Sequence, residues 1–392
     1  MKKAIIIIPT YNEKENIAVT VAAVFAATAT VRSWKIEILV VDDTSPDKTA
    51  DEVKKIQKNN QAVHLLLNPK KMGLGGAYLA GMSHAFSKLD ADVVFEFDAD
   101  LSHPPEKIPL FLKMLDDGKD MVLGTRYSNG GAIPADWGLH RKLMSMVGNL
   151  IIMLVFTNFS IRDWTSGYRA ITKQTYKKVV PFLQSERFFG YTFQIGFLYN
   201  AVKQGLSLGF IPYTFRDRTK GKSKIGPEYM KNTLLYIFRV RIQEMLENRI
   251  FKFVIVGGIG AVVQFISLAL FRRVMQYSFA YFFSAELAVA SNFVLSNLWT
   301  FNDRTLSLAE IPKKFLTFNV ASFGSVGIQT VLATLGKLLI GDTIPLFAIP
   351  LTQMILGNAF IFDTGFLFMI IGILIGMVWN FTAYNKFVWK QK

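Results

Sequence analysis

Two carboxylates stand one residue apart at the end of an apolar stretch. Asp98 and Asp100 follow the sequence Val-Val-Phe-Glu-Phe, which is typical of a strand buried in a sheet. Acidic residues often end strands for solubility, and a short DxD motif also arises by chance. At a strand end, such a pair can hold a hard divalent cation that bridges the oxygens of a nucleotide diphosphate. We therefore interpret the pair as a candidate metal and diphosphate site.

Polar residues after two other apolar stretches indicate a nucleoside site. Asp42 ends one of these stretches and is placed to accept hydrogen bonds from a ribose or a base. Tyr11 and Glu13 follow the other stretch and could clamp the same nucleoside. Taken singly, Tyr11 fits half-buried packing and Glu13 fits the start of a helix. Considered together with Asp42, both residues favour nucleoside binding.

Three basic clusters are candidate phosphate ligands: Arg126, Arg141 with Lys142, and Arg218 with Lys224. Surface arginines are usually solvated, so each cluster also has an ordinary explanation. Planar guanidinium groups nevertheless hold phosphate oxygens with two hydrogen bonds, which suits a substrate that is itself a phosphate. We predict that Arg126, Arg141 and Arg218 form one positive pocket.

Two glycine-containing segments resemble phosphate loops without matching one. Residues 70–76 lack the third glycine of a GxGxxG motif and the GK[ST] ending of a Walker A loop. Gly221-Lys-Ser223 has Arg216 where a Walker A loop needs its first glycine. The sequence therefore supports neither a dinucleotide-binding Rossmann protein nor a P-loop enzyme. The glycines at 73–76 fit a tight turn into a helix.

The elements that must position these residues are short β-branched strands separated by helical stretches. This alternation predicts an α/β fold with an open, mostly parallel sheet. In such sheets ligands bind outside the carboxyl ends of the strands, and the polar residues at 10–13, 42–43, 68–71 and 98–100 follow those ends. The predicted strands are 3–9, 36–41, 63–67, 93–97 and 121–124.

The second part of the chain has the composition of a membrane domain. Of the 392 residues 51% are hydrophobic, which exceeds the usual share in soluble proteins. Long apolar runs begin near residue 251, and four of them approach the roughly 20 residues that a bilayer requires. The predicted spans are 253–271, 279–298, 315–339 and 366–383. We predict three regions: a soluble α/β domain (1–227), a linking segment (228–249) and an all-α membrane domain of two helical hairpins (250–392).

Three further segments refine this division. Residues 228–248 mix apolar and basic side chains, which predicts one or two amphipathic helices on the bilayer surface, next to the positive pocket; an ordinary core-facing helix is the alternative. Asn292-Phe-x-x-x-Asn297 recurs as Asn380-Phe-x-x-x-Asn385, so the membrane domain contains an internal repeat. The apolar stretch 345–362 contains two prolines and is expected to form a re-entrant or interfacial insertion instead of a span.

Charge and composition indicate the placement of the chain in the membrane. With four spans, most loop cations fall on the side of the soluble domain, so the positive-inside rule predicts a multi-pass protein of the cell membrane with that domain in the cytosol. The cations on the cytosolic side are Arg249, Lys252, Arg304, Lys313, Lys314, Lys386, Lys390 and Lys392, against Arg272, Arg273 and Lys337 outside. The formal charge of +15 then suits phosphate ligands and the lipid bilayer, and no nucleic acid is expected. The chain has no cysteine, which excludes disulfides and cysteine-bound zinc, and no cleaved leader is expected.

The ordered set of motifs resembles glycosyltransferase family 2 enzymes of the dolichol-phosphate mannose synthase type over residues 3–227. The membrane part is similar to the four-span GtrA-type domain. The resemblance implies a GT-A fold, GDP-mannose as donor, dolichyl or another polyprenyl phosphate as acceptor, and Mg2+ or Mn2+ as metal. The matching stretches are IPTYNE (8–13), VVDDTSPD (40–47), KKMGLGGAYLAGM (70–82), DADLSHPP (98–105), GTRY (124–127), HRKLMS (140–145), TSGYRA (165–170) and RTKGKSK (218–224).

The resemblance also implies roles for individual residues. The nucleoside would be held by Pro9, Tyr11, Glu13, Val40 and Asp42. Asp98, Ala99 and Asp100 would line the diphosphate and metal, with Ser102 completing the metal coordination. Arg126, Arg218 and Lys224 would hold donor and acceptor phosphates, with Arg141 and Ser145 on the acceptor side. Gly196 departs from the family pattern, because relatives commonly have an acidic residue there.

The mechanism expected from this resemblance needs no strong general base, because a polyprenyl phosphate is already ionised at neutral pH. Positioning and charge neutralisation, assigned to Asp100, Arg126 and Arg218, can supply most of the catalysis. The expected product is an inverted, β-linked lipid phosphate sugar. Three alternatives remain: transfer of glucose from UDP-glucose, a lipid-sugar flippase or scaffold, and a processive polysaccharide synthase. The last is disfavoured because the chain lacks a QxxRW signature.

Overall fold

The computed structural model describes residues 1–183, 188, 191–217, 228–341, 343–349 and 360–390. These residues form two compact units, Met1–Arg241 and Ile242–Lys392. The first unit ends within a single helix, Glu228–Glu247, in the segment predicted to be interfacial. The location of this helix at a membrane surface and the three predicted region limits remain predictions.

The first unit is built on a seven-stranded sheet of order β3-β2-β1-β4-β6-β5-β7. Six strands run parallel, and β6 runs antiparallel between β4 and β5. The predicted mostly parallel α/β sheet is therefore confirmed. The strands are β1 (Lys2–Thr10), β2 (Trp34–Asp42), β3 (Val63–Leu67), β4 (Val93–Glu96), β5 (Met121–Thr125), β6 (Arg169–Thr172) and β7 (Leu208–Pro212).

Among the described residues of this unit, eight α-helices surround or follow the sheet. They cover both faces, so the central strand β1 is an unbroken apolar run that is fully buried from Ala4 to Ile8, as expected for a parallel sheet. The helices are α1 (Lys14–Thr28), α2 (Thr49–Asn59), α3 (Gly73–Lys88), α4 (Ile108–Asp116), α5 (Leu139–Val155), α6 (Lys173–Val179), α7 (Thr192–Lys203) and α8 (Glu228–Glu247).

Strand register brings the predicted polar residues to one edge. Thr10 of β1 pairs with Asp42 of β2, and Ile7 of β1 pairs with Glu96 of β4. The carboxyl ends of β1, β2 and β4 therefore lie side by side. Because β6 is antiparallel, its amino end lies at that same edge. The loop that precedes Arg169 consequently reaches the candidate site.

In the described part of the second unit, four helices are long and apolar enough to span a membrane, as the sequence predicts. The second helix of each pair continues into a five-residue π-helix, Ser296–Thr300 and Tyr384–Val388, so both copies of the repeated motif share one local structure. Asn297 Oδ1 of the first copy accepts a hydrogen bond of 3.0 Å from Trp389 Nε1 beyond the second. The spanning helices are α9 (Arg249–Phe271), α10 (Tyr277–Leu295), α11 (Ile311–Leu339) and α12 (Thr364–Ala383).

The apolar insertion is only partly described. Its flanks form two antiparallel strands, β8 (Pro345–Ile349) and β9 (Phe360–Asp363). Residues 350–359 lie outside the described residues. The re-entrant or interfacial placement of the insertion remains a prediction.

Candidate active site

Sharp turns follow three neighbouring strands at the carboxyl edge of the sheet. Asn12, Thr44 and Leu101 adopt left-handed backbone conformations, with φ of 58°, 57° and 59°. Such conformations cost non-glycine residues about 1–3 kcal/mol and persist where the surroundings enforce them, often at functional sites. Here they follow β1, β2 and β4. The turns fold the motif side chains back over the edge of the sheet.

Asp42 is held rigidly at the end of β2. The buried carboxylate accepts hydrogen bonds from Thr10 Oγ1 at 2.9 Å and from the Ser45 hydroxyl and amide at 2.6 and 2.9 Å. These bonds fix the orientation of its carboxylate at the end of β2. Nucleoside binding by Asp42 remains a prediction.

The neighbouring Asp43 organises the glycine-rich segment (residues 70–76), a role that was not predicted from the sequence. Its carboxylate accepts hydrogen bonds from the amides of Met72 and Gly73, at 2.9 and 2.8 Å, and from Asn68 Nδ2 at 2.7 Å. Gly73 has a φ of 75°, which glycine adopts without strain. The glycines therefore start helix α3, as predicted.

The other predicted nucleoside residues, in β1, in β2 and just after β1, differ in their surroundings. The Lys71 ammonium lies 3.8 Å from the centre of the Tyr11 ring, so a basic group and an aromatic face occur together. Glu13 begins helix α1, and its Oε2 accepts a hydrogen bond of 2.7 Å from Asn16. Pro9 is half-buried, whereas Val40 is fully buried in the middle of the sheet. Nucleoside contacts of all four predicted residues, Pro9, Tyr11, Glu13 and Val40, remain predictions.

The DxD turn presents its two carboxylates from the loop after β4. The Asp98 side chain is 37% exposed, so it can reach a ligand. Asp100 Oδ1 accepts a hydrogen bond of 3.1 Å from the Ser102 amide. Ala99 is buried, and its carbonyl accepts a hydrogen bond of 2.6 Å from Thr20 Oγ1. The turn is therefore anchored through its centre while both aspartates remain at the edge.

The donor atoms of this turn suit a hard divalent cation. Ser102 Oγ is buried and has no hydrogen-bond partner among the described residues, so this oxygen can accept a ligand. Carboxylate and hydroxyl oxygens are typical ligands of Mg2+ and Mn2+. The described part of the chain contains no group of three acidic, histidine or cysteine side chains that could hold a metal alone. Substrate oxygens would therefore have to complete the coordination.

Arg126 follows β5 and forms a buried ion pair with Asp163. Its Nε and Nη2 donate hydrogen bonds of 2.8 and 2.7 Å to the carboxylate, and Nη2 also donates to Thr165 Oγ1 at 2.8 Å. Burial opposes ionisation of Asp163, but the charge and hydrogen bonds of Arg126 outweigh it and lower the pKa of Asp163. Among the described residues, Nη1 of Arg126 makes no hydrogen bond. This amine is the part of the guanidinium that a phosphate could reach.

Helix α5 carries Arg141 and Ser145 one turn apart. The Arg141 guanidinium stacks 3.7 Å from the centre of the Trp137 ring and pairs with Asp217 at 3.1 and 3.2 Å. Ser145 Oγ shares a hydrogen bond with the hydroxyl of Tyr127. Because Tyr127 directly follows Arg126, this bond links helix α5 to the end of β5.

Tyr191 connects the charged groups of the site electrostatically. Burial raises the pKa of its phenol most strongly; the charges of Arg126 and Arg141 oppose this effect, and that of Asp98 adds to it. The structure therefore brings these three groups within electrostatic range of one side chain. Arg218 and Lys224 lie outside the described residues. The single pocket predicted for Arg126, Arg141 and Arg218 therefore remains a prediction.

A buried carboxyl lies behind the DxD turn. Glu96 is fully buried, and its oxygens accept no hydrogen bond within the described part of the chain. Burial raises the pKa of Glu96 to about 7, opposed by the charge of Arg169 and reinforced by that of Asp98. Arg169 Nε lies 3.9 Å from Glu96 and donates instead to the Ser166 carbonyl at 2.8 Å.

Comparison with known proteins identifies the family. Residues 5–188 match the glycosyl transferase family 2 model, and residues 252–389 match the GtrA/DPMS transmembrane domain. A dolichol-phosphate mannosyltransferase of Pyrococcus furiosus is 31% identical over 329 residues, which cover 82% of this chain and 86% of that protein. The chain belongs to the dolichol-phosphate mannosyltransferase family. A polyprenol monophosphomannose synthase of Mycolicibacterium smegmatis is 34% identical over 63% of this chain and 90% of that protein.

Membership of the dolichol-phosphate mannosyltransferase family confirms the predicted class of glycosyltransferase. The matched transmembrane domain and the four apolar helices identify a multi-pass membrane protein. Solved structures resemble the chain weakly. Glucosyl-3-phosphoglycerate synthase from Mycobacterium tuberculosis, in complex with Mn2+, uridine diphosphate and phosphoglyceric acid, has a TM-score of 0.45 and 14% identity over 61% of this chain and 78% of that chain. A likeness of this strength supports no statement about ligands.

In this member of the mannosyltransferase family, the outer face of α5 exposes a row of apolar side chains. Five apolar side chains spaced three or four residues apart are between 49% and 71% exposed: Leu139, Leu143, Met146, Leu150 and Leu154. This spacing places them along one face of the helix. This stripe was not predicted from the sequence, although the spacing of its residues is visible there. Helix α8 likewise exposes Leu235 and Phe238.

At Gly196, where the family resemblance leads us to expect an acidic residue, the surroundings leave little space. The hydroxyl of Tyr236, on α8, occupies the space that a side chain at position 196 would need. Tyr236 is itself buried against the core of the first unit. A carboxylate at position 196 could therefore not fit without moving Tyr236.

Proposed function

We propose that this protein transfers mannose from GDP-mannose to dolichyl phosphate or another polyprenyl phosphate. The observation that carries the proposal is geometric. Asp98 and Arg126 follow β4 and β5 at one edge of the sheet, and the Ser145–Tyr127 hydrogen bond joins helix α5, which carries Arg141, to that edge. This arrangement combines an anionic end suited to a metal with two cations suited to phosphates. The names of the two relatives, a dolichol-phosphate mannosyltransferase and a polyprenol monophosphomannose synthase, support the same substrate classes.

The acceptor side follows from helix α5. Arg141 and Ser145 lie on a helix whose other face is apolar and exposed, and an amphipathic helix of this kind binds at a lipid interface. A polyprenyl phosphate has the same division, with an anionic head and an apolar tail. Arg141, Ser145 and Nη1 of Arg126 would receive the phosphate head, together with Arg218 and Lys224.

The donor side combines the nucleoside residues with the DxD turn. Asp98, Asp100 and Ser102 would hold Mg2+ or Mn2+ against the diphosphate of the donor, where the cation neutralises the charge of the departing GDP. Asp42, Tyr11 and Glu13 would orient the nucleoside.

The reaction requires positioning more than proton transfer. An acceptor phosphate oxygen forms a bond to the anomeric carbon while the bond from that carbon to the diphosphate oxygen breaks, with inversion to a β-linked product. The acceptor is ionised at neutral pH, so no proton must be removed from it. Arg126 and Arg141 would align the attacking oxygen, and alignment of reactants can account for a large share of a rate enhancement.

The membrane topology completes the proposal. The catalytic unit lies in the cytosol and the four spans in the cell membrane, because the cationic loops then follow the positive-inside rule.

Donor choice tests this function. The purified full-length protein, given polyprenyl phosphate and Mn2+, should move label from GDP-mannose into the lipid fraction. Equal or faster transfer from UDP-glucose would support the rival glucosyltransferase and overturn the mannose assignment. Translocation of a lipid-linked sugar without any transfer would support a flippase.

A further inference from the structure

We propose that Tyr78 and His103 are positioning residues that hold Asp98 in its ligand-binding conformation. Neither side chain would touch the substrates; each would act through Asp98. The inference rests on the proposed function, in which Asp98 binds the metal and the diphosphate.

Tyr78 approaches Asp98 from helix α3. Its hydroxyl donates a hydrogen bond of 3.4 Å to Asp98 Oδ1. The ring is fully buried and stacks against Phe193, with 6.0 Å between the ring centres. A packed ring of this kind has one available orientation, so the hydroxyl is a fixed donor. Helix α3, which starts within the glycine-rich segment, therefore supplies a contact to the DxD turn.

His103 approaches Asp98 from the other side, within the turn itself. Its Nδ1 accepts a hydrogen bond of 3.1 Å from the Asp98 amide, and its Nε2 lies 3.6 Å from Asp98 Oδ2. Because Nδ1 accepts, the neutral imidazole carries its proton on Nε2. That N–H faces the carboxylate. One ring therefore contacts both the main chain and the side chain of Asp98.

The His103 ring is itself locked in place. It stacks on Tyr168 with 4.9 Å between the ring centres and meets the edges of Phe97 and Tyr213. It is only 1% exposed. The left-handed turn at Leu101 returns the chain so that residue 103 can reach residue 98.

The two contacts restrain the orientation of Asp98 before any ligand binds. Each carboxylate oxygen is approached by a different buried group, one from α3 and one from the turn after β4. Groups that orient a metal-binding side chain typically change metal affinity or activity by about 10–100-fold when removed. Loss of either contact should therefore weaken the metal site while the bound nucleoside is unaffected.

The test measures Mn2+ binding directly, apart from catalysis. Binding of Mn2+ to the purified full-length protein in the presence of GDP is followed by the electron paramagnetic resonance of free Mn2+. Tyr78→Phe and His103→Phe should each weaken binding about tenfold and raise the Mn2+ concentration needed for half-maximal transfer. Binding of GDP without metal should stay unchanged.

Tyr168→Phe is the matched control. It also removes one buried hydroxyl, which donates to the Pro104 carbonyl at 3.0 Å, but it keeps the ring that stacks on His103 and touches no atom of Asp98. Its Mn2+ affinity should equal that of the wild type. If His103→Phe does not fold, His103→Asn replaces it. The asparagine restores an acceptor for the Asp98 amide, so its Mn2+ affinity should fall by less than the roughly tenfold loss expected for Tyr78→Phe.

The outcomes separate this inference from the function on which it rests. If Asp98→Ala weakens Mn2+ binding but Tyr78→Phe and the His103 variants bind it as the wild type does, the positioning role is wrong and the metal site stands. If Asp98→Ala leaves Mn2+ binding unchanged, the metal role of Asp98 is wrong, and the inference falls with it. Loss of affinity in Tyr168→Phe equal to that in Tyr78→Phe would also overturn it.

Discussion

Arg126 and Asp163 are joined by two side-chain hydrogen bonds of 2.8 and 2.7 Å at the carboxyl edge of the sheet. The Arg126 amide donates a third bond of 3.0 Å to the same carboxylate. The pair holds a buried cation at the end of β5 and leaves Nη1 available to a ligand. Asp163 therefore fixes the orientation of the guanidinium at which we place a substrate phosphate.

This pair predicts the result of replacing Arg126 by lysine. Lysine keeps the charge but cannot form the paired bonds to Asp163 while presenting a further amine. We expect Arg126→Lys to reduce transfer more than tenfold, measured as kcat/KM for the acceptor. Arg216→Lys is the control, because Arg216 forms an exposed pair with Glu106 at 2.7 Å. Equal rates in the two variants would contradict a phosphate contact at Arg126.

Removal of the negative charge of Asp163 should lower the stability of the folded protein. Asp163→Asn leaves Arg126 buried without a counter-charge, and breaking a buried pair in this way costs about 3–5 kcal/mol. We expect a clear fall in the midpoint of thermal unfolding in detergent, together with lost transfer. A variant as stable as the wild type would show that the pair does not hold the edge of the sheet together.

Asp100 should be required for chemistry but not for folding. It lies in a loop after β4 and serves the proposed cation, so Asp100→Ala should abolish transfer and leave the unfolding midpoint near that of the wild type. Asp90→Ala, at an exposed pair with Lys173, is the control and should remain active. Near-normal transfer by Asp100→Ala in Mg2+ or Mn2+ is incompatible with the metal role.

Asp217 should compete with the acceptor for Arg141. Their ion pair is partly exposed, with side chains 37% and 43% accessible, and such pairs contribute only about 0–1 kcal/mol. A phosphate can therefore displace Asp217 at little cost. We expect Asp217→Asn to lower the KM for polyprenyl phosphate by about two- to fivefold, with the KM for the donor unchanged. A higher acceptor KM would mean that Asp217 positions Arg141 instead.

Glu96 should make the folded state sensitive to pH. The pKa of Glu96 is raised to about 7 in the fold. Protonated Glu96 therefore adds to the free energy of unfolding below the ordinary carboxyl pKa, and this contribution is lost as the pH rises through about 7. Glu96→Gln should reduce the fall in unfolding free energy between about pH 5 and pH 8 by up to about 3 kcal/mol. Unfolding in detergent at both pH values measures this, with the exposed Glu106→Gln as control. An unchanged pH dependence in Glu96→Gln would show that Glu96 ionises normally.

The sequence was sufficient to predict a mostly parallel sheet, five of its seven strands and the acidic residues at its carboxyl edge. Asp42, Asp98 and Asp100 could be placed because each lies at or just after the carboxyl end of a strand, and parallel strands of one sheet end at the same edge. Apolar runs of the required length likewise predicted the four spans. In both cases a local pattern in the sequence determines where the aspartates or the membrane spans lie.

Other groups of the site depend on contacts between distant segments. Asp163 reaches Arg126 only because β6 runs antiparallel, so that its preceding loop returns to the carboxyl edge. Tyr78 meets Asp98 through the packing of α3 on the sheet. Nothing near these residues in the chain reveals such partners. The apolar stripe of α5 was different, since its helical spacing could have been recognised from the sequence.

The most direct test of the account concerns the atom that receives the sugar. The purified full-length protein is incubated with GDP-mannose and Mn2+, and with either a polyprenyl phosphate or the corresponding polyprenol, and mannosylated lipid is measured by mass spectrometry. If Arg126 and Arg141 align a phosphate oxygen for attack, the phosphate should yield mannosyl lipid with release of GDP, and the polyprenol should yield none. Product from the polyprenol at a comparable rate, or no product from the phosphate, would contradict the proposed reaction.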